Sequence, residues 1–236
     1  ASELIERLVE IKNQPPRNMT DDLYEERNDL AAELFGTLSI HDAFAHKHPE
    51  FCLATVLWMV DYGPVTTVKS AGRSKIYSAN GVSGGAIRVH PNKKNLTRCL
   101  SDAQDEPNGL YLYFDQHSNI IWLDSTTMTI DRFDPQISRK AKETQPIDAG
   151  LEDFFEQILP QYTYRGNTLL PDQCVQEARR IKRGHLDCFC QEYTLLYALN
   201  RLNGMTHQEA AHDLIISEEE DGIAERIKEF YSYLAE

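Results

Sequence analysis

Cys188 and Cys190 flank a single phenylalanine at the start of an apolar run, residues 190–202, and follow the polar loop Arg183-Gly184-His185-Leu186-Asp187. The run has helical spacing, with Tyr193, Leu196, Tyr197 and Asn200 on one side and Leu195, Leu199 and Leu202 beside them. A helix that begins here turns the unsatisfied N–H groups of its first turn toward one of the two sulfurs, and that field favours a thiolate. A thiolate becomes a catalytic nucleophile when an imidazole takes its proton and a carboxylate fixes the imidazole. His117 stands at a polar turn between two apolar segments, and Asp134, 17 residues further on, ends the segment Ile130-Asp131-Arg132-Phe133-Asp134-Pro135. Neighbouring strands could set that carboxylate beside the imidazole, and the chemistry of such a set is attack on an acyl carbon.

The elements that must position these residues fall in a simple order. Leu4, Ile5, Leu8 and Ile11 predict a helix over residues 1–12, Pro15-Pro16 interrupts it, and Thr20-Asp21-Asp22 opens a second through about residue 38. Apolar and β-branched clusters at 52–60, 65–68 and 87–89 predict strands, with Gly81-Val82-Ser83-Gly84-Gly85 as a hairpin turn rather than a phosphate loop, since no Lys-Ser/Thr follows it. The most regular β signal is a meander over residues 109–134. Leu151, Phe154, Phe155, Ile158 and Leu159 mark one face of a helix ending at Pro160. Thr206-His207-Gln208-Glu209 has the capping-box form, and Ile223, Ile227, Phe230, Tyr231 and Leu234 predict a final amphipathic helix. Strands in the middle followed by helices indicate α+β rather than alternating βαβ units.

Composition narrows the functional classes. With 24 Lys+Arg against 37 Asp+Glu in 236 residues the net charge is −13, which disfavours general nucleic-acid binding. No run approaches the roughly 20 apolar residues of a membrane span. The N-terminal helix pattern is acidic and unlike a secretory signal, and five dispersed cysteines suit free thiols, so an intracellular reducing compartment is expected.

Three segments, in the order His, acid, Cys at a helix start, resemble the cysteine peptidases of the adenovirus-protease and SUMO-protease clan, particularly the divergent members encoded by large DNA viruses. They are His117-Ser118-Asn119-Ile120-Ile121, Arg132-Phe133-Asp134-Pro135 and Phe189-Cys190-Gln191-Glu192-Tyr193-Thr194-Leu195-Leu196-Tyr197, and the resemblance spans about residues 105–205. It implies Cys190 as nucleophile, His117 as general base, Asp134 as its orienting partner and Gln176 as oxyanion donor, with Gln173 as the other candidate, and no cofactor. Cys188 stands where the family commonly has Gly, and Asp187-Cys188 matches the Asp-Cys pair of the SUMO-protease branch, so Cys188 is the second nucleophile candidate.

The fold implied is a central, largely antiparallel sheet carrying His117 and Asp134, packed against a buried helix that starts at the nucleophile. Residues 1–50 form an N-terminal helical extension and residues 51–236 the cysteine-peptidase-like α+β domain, with further helices at the C-terminus. The function implied is a thiol peptidase acting on a protein or peptide, a virion precursor or a ubiquitin-like conjugate, in the host cytoplasm or virion. The alternative is a non-catalytic structural or virion scaffold protein that keeps the fold, since no oxyanion Gln stands close before the cysteines and the terminal helices offer partner surfaces.

Three plainer constellations compete. His185, Cys188, Cys190 and Cys174 are zinc-type ligands without knuckle spacing. His41, Asp42, His46 and His48 read as a solvated polar face. Arg179, Arg180, Lys182 and Arg183 offer a local basic site just before the cysteines, able to stabilise a thiolate if folded toward it. The acidic clusters at 21–26 and 218–221 read as solvated helix ends.

Overall fold

A computed structural model describes residues 1–36, 40–48, 53–62, 70–71, 74–78, 85–91, 108–114, 117–136, 148, 151–152, 155–156, 159–169, 174–185, 187–219 and 222–236, and over 53–117 it describes backbone alone. The class is α+β. The chain groups into two compact units, one made of Ala1–Glu50 with Pro171–Glu236, the other of Phe51–Leu170.

The first unit is helical. It contains α1 (Ser2–Lys12), α2 (Asp21–Phe35), α3 (Ile40–Lys47), α4 (Val175–Arg183), α5 (Cys190–Leu202), α6 (His207–Glu219) and α7 (Ile223–Ala235). Both ends of α2 and the start of α6 have local causes. Thr20 Oγ1 accepts the Leu23 N–H at 3.3 Å, and α2 ends at Gly36 with φ +62°, a left-handed cap that costs glycine little. Thr206 and Glu209 form the expected reciprocal capping box, Thr206 N–H to Glu209 Oε2 at 2.8 Å and Glu209 N–H to Thr206 Oγ1 at 3.3 Å. The apolar residues of α1 and α7 found by spacing (Ile5, Leu8 and Ile11; Ile223, Ile227, Phe230, Tyr231 and Leu234) are buried. Phe35 meets Tyr231 and Phe44 meets Phe230, with ring centroids 5.6 and 6.2 Å apart. Each such side chain contributes about 1.5–3 kcal/mol on full burial. These contacts draw α1, α2 and α3 onto α7, so residues 1–50 share a core with the C-terminal helices.

The second unit carries one sheet. Its strands are β1 (Leu53–Tyr62), β2 (Ser70–Ala71), β3 (Ser74–Ser78), β4 (Gly85–Pro91), β5 (Asn108–Phe114), β6 (His117–Asp124), β7 (Thr129–Phe133) and β8 (Thr163–Gly166), in the order β2-β3-β4-β1-β5-β6-β7-β8. The sheet is mixed: β1/β5 and β7/β8 are parallel and the other pairings antiparallel. The meander expected over 109–134 is β5-β6-β7. A parallel β8 requires a crossover after β7, and the helical residues 151–152 and 155–156 lie on it, with Leu151 and Phe155 buried. Phe154, Ile158, the expected strand at 65–68 and most of the expected turn at 81–85 lie outside the described residues. Along β6 and β7 residues on both faces are buried, from Ser118 to Leu123 and from Ile130 to Phe133.

Candidate thiol site

Cys190 is the first residue of α5, a 13-residue helix buried on most of its circumference. Its exposure is 8%. In the residue before it, Phe189, φ −95° and ψ 16° make a tight turn out of the 184–189 loop. Cys188 is half-buried, and its N–H donates to the Lys12 carbonyl at 2.8 Å. Burial pushes the Cys188 thiol above its ordinary range; Lys12 opposes this, Asp187 and Cys190 add to it, and Arg27 opposes it weakly. A thiol so placed carries a smaller thiolate fraction at neutral pH than an ordinary cysteine.

The loop is held by Asp187, which is 5% exposed. Its Oδ1 accepts Phe189 N–H at 3.2 Å, an Asx turn, and Gln176 Nε2 at 3.1 Å. Its Oδ2 accepts Arg179 Nε at 2.6 Å and Tyr193 O–H at 2.8 Å. Gln176 Nε2 also donates to the Asp187 carbonyl at 2.8 Å. Both partners are acceptors only, so the amide orientation is fixed and both its hydrogens are directed at Asp187. Gln176 Oε1 is buried without a hydrogen-bond partner. An oxyanion role therefore asks the Gln176 amide to turn away from Asp187. Gln173 lies outside the described residues.

On another face of α5, Glu192 forms a buried ion pair with Lys12 and accepts Tyr231 O–H at 2.6 Å on the same oxygen. Burial, then the Glu192 charge, holds the Tyr231 phenol well above its usual value. In the second unit burial and Asp148 do the same to Tyr164, which donates to Asp148 Oδ1 at 2.6 Å. Unfolded tyrosines ionise near pH 10, so the protons these two retain stabilise the fold fully below that pH, and the stability is lost as pH rises above it. Alkaline absorbance titration should show two tyrosines that ionise only as far-UV dichroism collapses. Free ionisation of every tyrosine near pH 10 in folded protein would contradict the buried placements.

The other two expected residues belong to the second unit. His117 is the first residue of β6, paired with Phe114 across β5. Asp134 follows β7 and is 3% exposed. The β6/β7 register pairs Ile120 with Phe133, so its continuation by one residue sets Asn119 opposite Asp134. Between them lies Arg132, fully buried: Nη1 donates to Asn119 Oδ1 at 2.6 Å and Asp134 Oδ2 at 3.2 Å, while Nε and Nη2 grip Asp148 at 2.8 and 2.9 Å. Burial alone would lower the Arg132 pKa; Asp148 and Asp134 outweigh it and raise it. Asp134 Oδ1 accepts Gln136 N–H at 2.9 Å. One edge of the Asp134 carboxylate thus neutralises Arg132 while the other closes the turn at Pro135.

The expected basic site divides. Arg179 is spent on Asp187, and Arg180 pairs with Glu177 at 2.5 Å. Arg183 donates to Asn13, as does Arg179. Among the described residues no group of three or more His, Cys, Asp and Glu could hold a metal ion, so Cys174, His185, Cys188 and Cys190 are not gathered into a ligand set. The side chains of His41 and Asp42 lie outside the described residues, as do those of 218–221. Asp21, Asp22 and Glu25 are exposed, while Glu26 pairs with Arg7. Among the described residues no helix is long and apolar enough to cross a membrane.

Asp187, Lys12, Glu192, Asn119 and Asp148 were not singled out for these parts by spacing. Asp187 alone carried a local signal, an Asp three residues before a helix start; the rest meet partners distant in sequence. No family model matches the chain, and none of the curated proteins shows significant similarity to it.

Proposed function

We propose that the chain is a thiol peptidase of the Cys-His-Asp type, acting on a protein, precursor or ubiquitin-like conjugate. The observation that carries the reading is Cys190 at the first position of a buried helix, behind a loop pinned by Asp187. There the α5 dipole favours the thiolate, worth about 0.3–1 kcal/mol or more where buried. In this mechanism His117 takes the Cys190 proton, the thiolate attacks the carbonyl carbon, and the leaving amine recovers the proton from His117. Water then hydrolyses the thioester. N–H groups of the first turn of α5 would face the oxyanion, and Gln176 would join them by releasing Asp187; each such donor is worth about 100- to 1000-fold in rate. Asp134 would orient the imidazole through an edge not spent on Arg132.

A second reading, a structural or virion scaffold protein that keeps the fold without the activity, is favoured by two observations. Both Gln176 amide hydrogens are committed to Asp187, and the Asp134 carboxylate is already engaged by a buried arginine. The test is the pH dependence of alkylation at each cysteine in reducing buffer, read by peptide mass spectrometry in the native protein and in His117→Ala. A poised Cys190 reacts well below the ordinary thiol pKa of about 8.5 and slows at least about tenfold in the variant. Thiols that react only after unfolding would end the catalytic reading for the free chain and leave the scaffold reading to be tested by a search for bound partners.

A further inference from the structure

We infer that Cys188 and Cys190 are a redox pair that closes into a reversible disulfide at the start of α5 when the chain meets a small-molecule disulfide. The inference goes beyond the peptidase reading and does not rest on it.

The geometry begins with the backbone. At φ −95° and ψ 16°, Phe189 folds two 3.8 Å virtual bonds to roughly a right angle, which sets the flanking Cα atoms about 5.4 Å apart. Disulfides span Cα separations of about 4.4–6.8 Å, and an extended residue between the cysteines would exceed that range. The turn is held in place: Asp187 Oδ1 accepts the Phe189 N–H, the Cys188 N–H is bonded to the Lys12 carbonyl, and Phe189 is fully buried. Cβ bonds in a helix tilt toward its N-terminus, so the Cys190 side chain leans back toward the loop that carries Cys188. The effect of Cys190 on the Cys188 thiol agrees with sulfurs close enough to sense each other's charge.

Accessibility sets the order of events. Cys188 is half-buried, whereas Cys190 is 8% exposed and Cys174 fully buried. A small disulfide RSSR meets Cys188 first: the minor thiolate fraction of this thiol attacks one sulfur, the S–S bond breaks, and RS⁻ leaves and takes up a proton, the raised thiol pKa making this the slow step. Cys190, favoured as thiolate by the α5 N-terminus, then attacks the Cys188 sulfur and expels the second RS⁻. Two protein thiols are oxidised by two electrons and RSSR is reduced to two RSH. A bridge across one residue is strained and so readily reduced, which suits a reversible switch rather than a structural staple. While closed, it removes the Cys190 thiol from any other chemistry.

The test treats the native full chain with glutathione disulfide over a range of ratios to glutathione, blocks remaining thiols with an alkylating agent and digests with trypsin without reduction. Peptide 184–201 contains both cysteines and excludes Cys174. The expected product is this peptide lighter by about 2 Da, unalkylated, and restored by added thiol. Cys190→Ser should instead stop at a stable glutathione adduct on Cys188. A lasting adduct on Cys188 in the unsubstituted chain, a bridge from this peptide to the one holding Cys174, or both thiols still alkylated at the highest ratio would each overturn the inference.

Discussion

Asp187→Ala is expected to lower the stability of the helical unit by about 3–5 kcal/mol, the usual cost of removing one member of a buried charged network. The residue accepts from Gln176, Arg179, Phe189 N–H and Tyr193, and no water replaces it at 5% exposure. Its loss removes the carboxylate facing the Arg179 guanidinium, whose side chain is 4% exposed, and frees the loop that leads into α5. Asp187→Asn keeps acceptor capacity but loses the charge facing Arg179, so its effect should fall between alanine and the natural residue. Urea denaturation followed by far-UV dichroism reads the helices, while the fluorescence of Trp58 and Trp122 reports the sheet unit. The dichroism midpoint should fall steeply. A change below about 1 kcal/mol in Asp187→Ala would mean that the loop is not held by this carboxylate.

Arg132→Met should cost the sheet unit a similar ~3–5 kcal/mol, because the hydrophobic replacement removes a buried cation that pairs with two carboxylates at once. Asp134 and Asp148 would then face each other around an apolar side chain, and Asn119 Oδ1 would lose its donor. The defect should show in Trp122 fluorescence, since Trp122 pairs with Asp131 directly beside Arg132. A loss below about 1 kcal/mol would mean that these carboxylates do not depend on the buried guanidinium.

Local grammar was legible in the residues themselves. Apolar spacing located α1, α5 and α7, the Thr206/Glu209 pair marked the start of α6, and alternation located the β5-β6-β7 meander, because periodicity and capping depend on neighbours within a few positions. Tertiary contact decided the rest. Residues 1–50 read as an extension because nothing within them announces that their apolar faces close against α7, more than 170 residues away. Nothing in the sequence marks Lys12 for burial, and only the fold brings Glu192 to it and so permits both to be buried. Arg179 read as part of a local basic site before the cysteines, yet it pairs with Asp187 across the helix-loop boundary. Gln176 and Asp134 carry the right side chains for the chemistry proposed, but hydrogen-bond capacity is finite, and only the folded chain shows how much of it Asp187 and Arg132 already use. The sequence by itself determined the element order and the thiols at a helix start; which polar groups are buried, and against what, was decided by contacts whose partners are too far apart along the chain to leave a pattern in it.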